Sequence, residues 1–144
     1  MKRTAGVLLA TIALAFASVP SARAQTAAEV DATMDTLFGD HVSYRKFFDD
    51  LKKAVAANEK SAVAAMVDYP FQARIAGKAV KLRDAAHFVA DYDKIVTAKV
   101  KKAVADQSYE TLFANWQGVS IGDGEVWFSG VGDSNVIKIT AIND

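Results

Sequence analysis

From Ser43 the chain sets Tyr44, Phe47, Phe48, Leu51 and Val55 in one apolar stripe, with Arg45, Asp49, Lys52 and Lys53 off it. That spacing predicts an amphipathic helix. Ahead of it, Gln25 to Gly39 carries Val30, Met34 and Leu37 at helical intervals and ends on glycine, which predicts a short helix or a partly ordered lead-in. Asn58 is placed to cap a third helix, Glu59 to Val67, that buries Ala62, Val63 and Met66. Tyr69-Pro70 interrupts this pattern, because proline lacks an amide donor and pushes its predecessor toward extended geometry. Phe71, Ala73 and Ile75 then alternate with Gln72 and Arg74, and Ala76-Gly77-Lys78 turns the chain into Val80 and Leu82, which predicts a hairpin.

Two more helices follow. Asp84 can cap one with Phe88, Tyr92 and Ile95 on a common face, and Thr97 can cap another holding Val100 and Val104. Past Tyr109 the period changes to two. Leu112 to Ile121 reads as one strand, Asp123-Gly124 as a two-residue turn, Glu125 to Val131 as a second strand, and Gly132 to Asn135 as a turn into a third, Val136 to Ile142. Pairing through Asp123-Gly124 sets Ile121 opposite Val126, Val119 opposite Phe128 and Ser120 opposite Trp127, leaving Trp116, Ser120, Glu125 and Trp127 on one face. A bulge near Gly118 or Gly122 would alter that assignment. Helices followed by a terminal meander define an α+β class, with helices packed on one face of a curved antiparallel sheet.

The first 24 residues have a different character. Met1-Lys2-Arg3 is basic, Val7 to Val19 is almost purely apolar, and Ser21-Ala22-Arg23-Ala24 offers small residues, the layout of a cleavable secretory signal cut between Ala24 and Gln25. The apolar run is short for a bilayer, which takes about 20 residues to span. The expected organisation is therefore a signal peptide at 1–24, a lead-in at 25–42 and a single domain at 43–144, exported to the periplasm or the medium without a stable membrane anchor. Removal of 1–24 discards Lys2, Arg3 and Arg23 but no acid, so 17 basic against 17 acidic residues become 14 against 17, a net charge of −3. Mild acidity with no long basic run excludes nucleic acid as the expected partner. The chain has no cysteine, which excludes disulfides, thiolate metal sites and cysteine nucleophiles.

The order of elements, with Tyr69-Pro70-Phe71, Phe88-x-x-x-Tyr92-Asp93-x-Ile95 and the stretch Trp116-Gln117-Gly118 through Gly122-Asp123-Gly124-Glu125-Val126-Trp127-Phe128, resembles small exported bacterial proteins of the nuclear transport factor two-like, or cystatin-like, superfamily. The resemblance covers about residues 43 to 142. It implies a strongly curved sheet wrapped with helices into a cone around an internal cavity. It supplies no catalytic motif, since that superfamily hosts isomerases, dehydratases, ligand carriers and protein-binding modules on one fold.

Candidate chemistry is sparse. Gly118-Val119-Ser120-Ile121-Gly122 fits the G-x-S-x-G nucleophile elbow, but that motif requires a strand-to-helix turn and a later histidine. Here a hairpin signal follows, and both His41 and His87 precede the serine. No cofactor is expected, and no metal, although His87 with Asp91 at i+4 could meet by helical spacing. Acid/base chemistry of the isomerase or lyase type would need a carboxylate in an apolar cavity, for which Asp93 beside Tyr92 is the first candidate, ahead of Asp68 and Glu125. Eight aromatics, Tyr69, Phe71, Phe88, Tyr92, Phe113, Trp116, Trp127 and Phe128, would surround a cone cavity, five or six of them as core. Tyr69, Tyr92, Trp116 and Trp127 carry polar handles and are the candidates for a pocket rim. Arg45, Lys52, Lys53, Lys99, Lys101 and Lys102 read as solvated faces. The expectation is a non-catalytic module that binds a small apolar ligand or a protein partner through the cone mouth or open sheet face, with a homodimer left open.

Overall fold

The computed structural model describes residues 24–144; the expected signal segment, apart from its last residue, lies outside the described residues. Ala24 and Gln25, the expected cleavage pair, are exposed and irregular.

The first helix, α1 (Ala27–Phe38), opens on a reciprocal capping box in which Thr26 and Glu29 satisfy each other's backbone amides, and closes on Gly39 in the left-handed conformation. Val30 and Met34 are fully buried, so this segment belongs to the core rather than preceding it. Leu37, expected on the buried stripe, is exposed. Phe38 takes its place by stacking on Tyr44 at 4.4 Å.

Helix α2 (His41–Ala56) is capped by Asp40 and buries Tyr44, Phe48, Leu51, Ala54 and Val55. Asn58 does not cap the next helix. It adopts φ 53° and ends α2, with the Asn58 amide donating to the Val55 carbonyl and the Glu59 amide to the Ala54 carbonyl. This pair of bonds is a Schellman motif, whose left-handed position suits Asn after Gly. Helix α3 (Lys60–Ala65) is accordingly short and lacks a side-chain cap. It buries Val63 and Ala64, while Ala62 faces out.

After the cis Tyr69-Pro70 bond, β1 (Phe71–Ile75) and β2 (Lys78–Leu82) form the expected hairpin, turning on Ala76 and Gly77, both at positive φ. Asp84 caps α4 (Ala85–Ala90), and the helical run breaks at Asp91 before α5 (Tyr92–Ile95). Phe88, Tyr92 and Ile95 are nevertheless all buried. Thr97 caps α6 (Ala98–Asp106), which buries Val100 and Val104.

The terminal sheet has four strands where the alternation predicts three: β3 (Phe113–Asn115), β4 (Gly118–Ile121), β5 (Val126–Val131) and β6 (Val136–Ile142), antiparallel in that order. The extra turn sits at Trp116-Gln117, inside what reads as one strand. Gly118 makes it work: a Cβ there would lie 2.5 Å from the Phe128 carbonyl oxygen, and φ is 138°. The β4–β5 register is the expected one, Val119 with Phe128, Ser120 with Trp127 and Ile121 with Val126. The loop closing it spans 122–125 rather than two residues. The bulge falls in β6, where Thr140 is the extra residue between the Trp127–Ala141 and Phe128–Ile139 pairs; such an insertion bends and twists the sheet.

The molecule is α+β, with helices laid on one face of the antiparallel sheet. Val119, Ile121, Val126, Phe128, Ile139 and Ile142 meet the buried stripes of α2 and α6 in a single apolar core. A short bridge pairs Val67 with Ile139 in parallel, tying the chain just ahead of the β1–β2 hairpin to the outer edge of β6.

Candidate functional site

The interior is nearly full. A void of about 10 Å³ lies between Leu51, Val55, Val63, Val96, Val100, Val104, Val126, Ile139 and Ile142. That is the space of one water molecule at most, and every wall is aliphatic, so it stays dry. Apart from the tyrosines, the only buried polar side chains among the described residues are Gln107 and Ser120. Gln107 ties three elements together: its amide donates to the Ser108 carbonyl and Thr111 Oγ1, and its Oε1 accepts from the Gly122 amide at 2.7 Å. Ser120, the serine of the elbow-like motif, sits in β4 between Phe113 and Trp127 with no helix after it. The strand environment gives it no base and no sharp turn.

Asp93 does not enter a cavity. Its carboxylate is on the surface, held by Lys60 Nζ at 2.5 Å and Lys101 Nζ at 3.3 Å, and those two hydrogen-bonded ammoniums keep its pKa below the ordinary value. General-base work at neutral pH calls for the opposite shift. Asp68 is exposed as well, and Glu125 spends its Oε2 accepting from the Asp123 amide at 2.6 Å within the β4–β5 loop. No group of three or more metal-ligating side chains occurs among the described residues. His87 pairs with Asp84 at 2.8 Å, while Asp91 pairs with Lys94.

The four expected rim residues do not converge. Tyr69 is half-buried, donates to the Ala64 carbonyl at 2.8 Å, and has its phenol pushed up to about 12 by burial. Tyr92 is wholly buried, edge-on to Phe88 with ring centroids 6.0 Å apart. Lys60 and Lys101 stand over its ring at 5.4 and 5.3 Å, and its hydroxyl has no hydrogen-bond partner among the described residues. Burial raises its pKa. The other two lie on the far side of the sheet. Trp116, at the β3–β4 tip, is 81% exposed, and Trp127 is half-buried on the outer face with Phe113 edge-on to it at 6.3 Å. Of the eight aromatics, only Phe71, Phe88, Tyr92 and Phe128 are fully buried.

The outer sheet face thus emerges as the candidate site. Its best-defined row runs Phe113, Ser120, Trp127, Ala141 across all four strands. Phe113 is 57% exposed and Trp127 and Ala141 are half-buried, while Ser120 between them is buried. Beside this row a shallow basin is lined by Lys99, Asp123, Gly124, Glu125, Trp127 and Asn143. Flat aromatic surface with scattered polar groups suits a macromolecular partner better than an enclosed small molecule. Phe113 as an outward residue was hidden in the sequence by the unseen β3–β4 turn. Counted along one unbroken strand it shares parity with Val119 and Ile121, which are core.

Several cations expected as solvated do structural work. Lys52 donates to the Ala105 and Gln107 carbonyls, closing the C-terminus of α6. Arg45 lies over the Tyr109 ring at 4.5 Å, and Tyr109 donates to Asp31 at 2.7 Å, joining α2, the 3₁₀ turn Tyr109–Thr111 and α1. Among the described residues no helix is long and apolar enough to cross a membrane. No protein-family model, no curated protein and no solved structure matches this chain.

Proposed function

We propose that the protein is a non-catalytic, exported binding module whose partner is another protein, docked on the outer face of the meander around Phe113, Trp116 and Trp127. The observation that carries the reading is the contrast between the two faces of the sheet. The inner face is packed without room for a ligand, and no carboxylate, histidine, lysine or arginine among the described residues is buried in it; the outer face presents a phenylalanine and a tryptophan to water. Exposed Trp is the residue type most enriched among interface hot spots, and its area is costly to leave wet. The finer architecture proposed with it is the cone of the nuclear transport factor two-like superfamily. Support comes from the α2 stripe sharing one core with the inner face of a bulged sheet, and from the Val67–Ile139 bridge that joins the chain ahead of the hairpin to the meander. Export rests on the 1–24 sequence pattern.

The test is site-resolved photo-crosslinking in the host, with a photoreactive residue at position 116, at 113, or at Lys81 on the distant hairpin. One discrete adduct from 116 and 113, absent from 81 and identified as a single protein species, is expected. Adducts equal at all three positions would overturn the reading. So would a native mass spectrum of the purified protein that carries a retained small molecule.

A further inference from the structure

We propose that the edge of β6 next to α2 and α3 accepts an extended segment of another protein as an added strand. This surface is separate from the outer face. The proposal shares with the proposed function only the premise of a protein partner.

In an antiparallel pair, successive residues direct their backbone groups alternately toward and away from the neighbouring strand. Ile139 directs its groups away from β5: its amide donates to the Met66 carbonyl at 2.7 Å, and its carbonyl accepts from the Asp68 amide at 2.9 Å. Ile137, two residues earlier and before the bulge, has the same parity. Its cross-strand mate Gly130 agrees, since that amide also points out of the pair, donating to Tyr44 Oη at 3.0 Å. Ile137 therefore offers an N–H and a C=O on the open edge, in line with the bonds made at Ile139. Among the described residues none of the cross-element backbone bonds reaches it, because the chain before Met66 turns away into α3.

What borders that edge is a groove. Phe47, Asp50 and Ile137 are shared by two adjoining depressions, one continuing along Tyr44, Lys46 and Val136, the other along Ala54, Ala62 and Met66. Phe47, Ala54, Met66 and Ile137 supply its apolar lining; Lys46 is engaged by Asp50 and Lys138 by the Ala65 carbonyl at 2.6 Å, and Asp40, Lys53 and Glu59 line it as well. An occupant must bring backbone donors and acceptors at strand spacing and an apolar side chain for the floor, which is an extended peptide with alternating apolar residues. Comparison with the hairpin edge sharpens this. The open strand β2 carries Lys78 and Lys81, the usual guard against strand addition. At the β6 edge the neighbouring lysine, Lys138, is instead turned onto the Ala65 carbonyl.

The probe is a phage-displayed library of random dodecapeptides selected on the purified protein, followed by the best synthetic peptide. Three results are expected together: enriched sequences with period-two apolar positions, slowed amide exchange at Ile137 on binding, and at least a tenfold loss of affinity with Ala62→Glu, an exposed position on the groove wall. Trp116→Ser, on the other surface, should leave binding unchanged. N-methylation of alternate peptide amides should abolish binding in one phase and spare it in the other. No enrichment, enrichment of helical i, i+4 patterns, indifference to Ala62→Glu, or unchanged exchange at Ile137 would each overturn the proposal. A protein dimer that dissociates with Ala62→Glu would overturn it too, by assigning the groove to a second copy.

Discussion

The buried hydroxyl of Tyr92 gives the sharpest test of the packing described above. The chain has four tyrosines, and the other three each use the phenol oxygen: Tyr44 accepts from the Gly130 amide, Tyr69 donates to the Ala64 carbonyl, and Tyr109 donates to Asp31. Among the described residues Tyr92 alone encloses its hydroxyl without a partner. A buried polar group left unsatisfied costs about 1–3 kcal/mol, whereas a satisfied hydrogen bond contributes about 0.5–1.5 kcal/mol net. Tyr92→Phe removes the unsatisfied group and keeps the ring edge-on to Phe88. It weakens the attraction to the Lys60 and Lys101 ammoniums by a few tenths of a kcal/mol. The expected result is a gain of about 1 kcal/mol, or roughly 3–5 °C in Tm for a domain of this size. Tyr44→Phe and Tyr69→Phe should each lose about 1 kcal/mol, and Tyr109→Phe about 1–2 kcal/mol because its acceptor is charged. Urea unfolding followed by tryptophan fluorescence, with the slope checked for constancy across the series, reads all four. If Tyr92→Phe loses as much as Tyr69→Phe, the hydroxyl has a partner, such as a buried water, and the reasoning fails.

Three further outcomes follow from local geometry. At the β1–β2 turn Ala76 holds φ 50°, a conformation that strains a Cβ and suits Asn or Gly; Ala76→Asn should raise stability by about 0.5–1 kcal/mol in the same urea assay. Gly118→Ala would press a Cβ against the Phe128 carbonyl, which cannot move without opening the sheet. It should cost roughly 2–3 kcal/mol, read as a lowered Tm. The clasp between α1 and α2 is pH-dependent: His41 Nδ1 lies 2.8 Å from Asp35 Oδ1, a hydrogen bond that raises the His41 pKa and lowers that of Asp35. The stability it adds through His41 is complete below about pH 6.5 and fades as pH rises through the raised pKa; the Asp35 share is present above about pH 4 and fades as pH falls through the lowered one. His41→Asn should therefore flatten the stability profile between pH 6 and 8. An unchanged slope would show that the pair contributes nothing.

Much of the architecture was legible in the order of residues, for reasons that can be named. The α2 stripe of Tyr44, Phe48, Leu51 and Val55, the Asp84 and Thr97 caps, the β1–β2 hairpin and the β4–β5 register all follow from local periods and capping chemistry, which operate within a few residues. The α+β class follows from their sequence order. The errors fell where local signals conflict. Asn58 can cap a helix or end one, and only the backbone path out of α2 makes it a left-handed terminus. Leu112 to Ile121 keeps a strand-like composition across a tight turn whose cause is a long-range one, the approach of the Gly118 backbone to Phe128.

The site was far less legible. The sequence determined that aromatics abound, that cysteine and basic tracts are absent, and that tyrosine and tryptophan with polar handles were worth following. Tertiary structure decided which way each one faces. Tyr92 went to the core, Trp116 and Trp127 to the outer sheet face, and Asp93 to a surface pair of lysines that share no sequence proximity with each other. The free edge at Ile137 could not have been read at all, because it exists only where the chain at Met66–Asp68 reaches β6 and then stops one step short. Periodicity records which residues can be buried, but which surface remains open depends on contacts between segments about 70 residues apart, such as Lys138 with Ala65, and no local pattern encodes those.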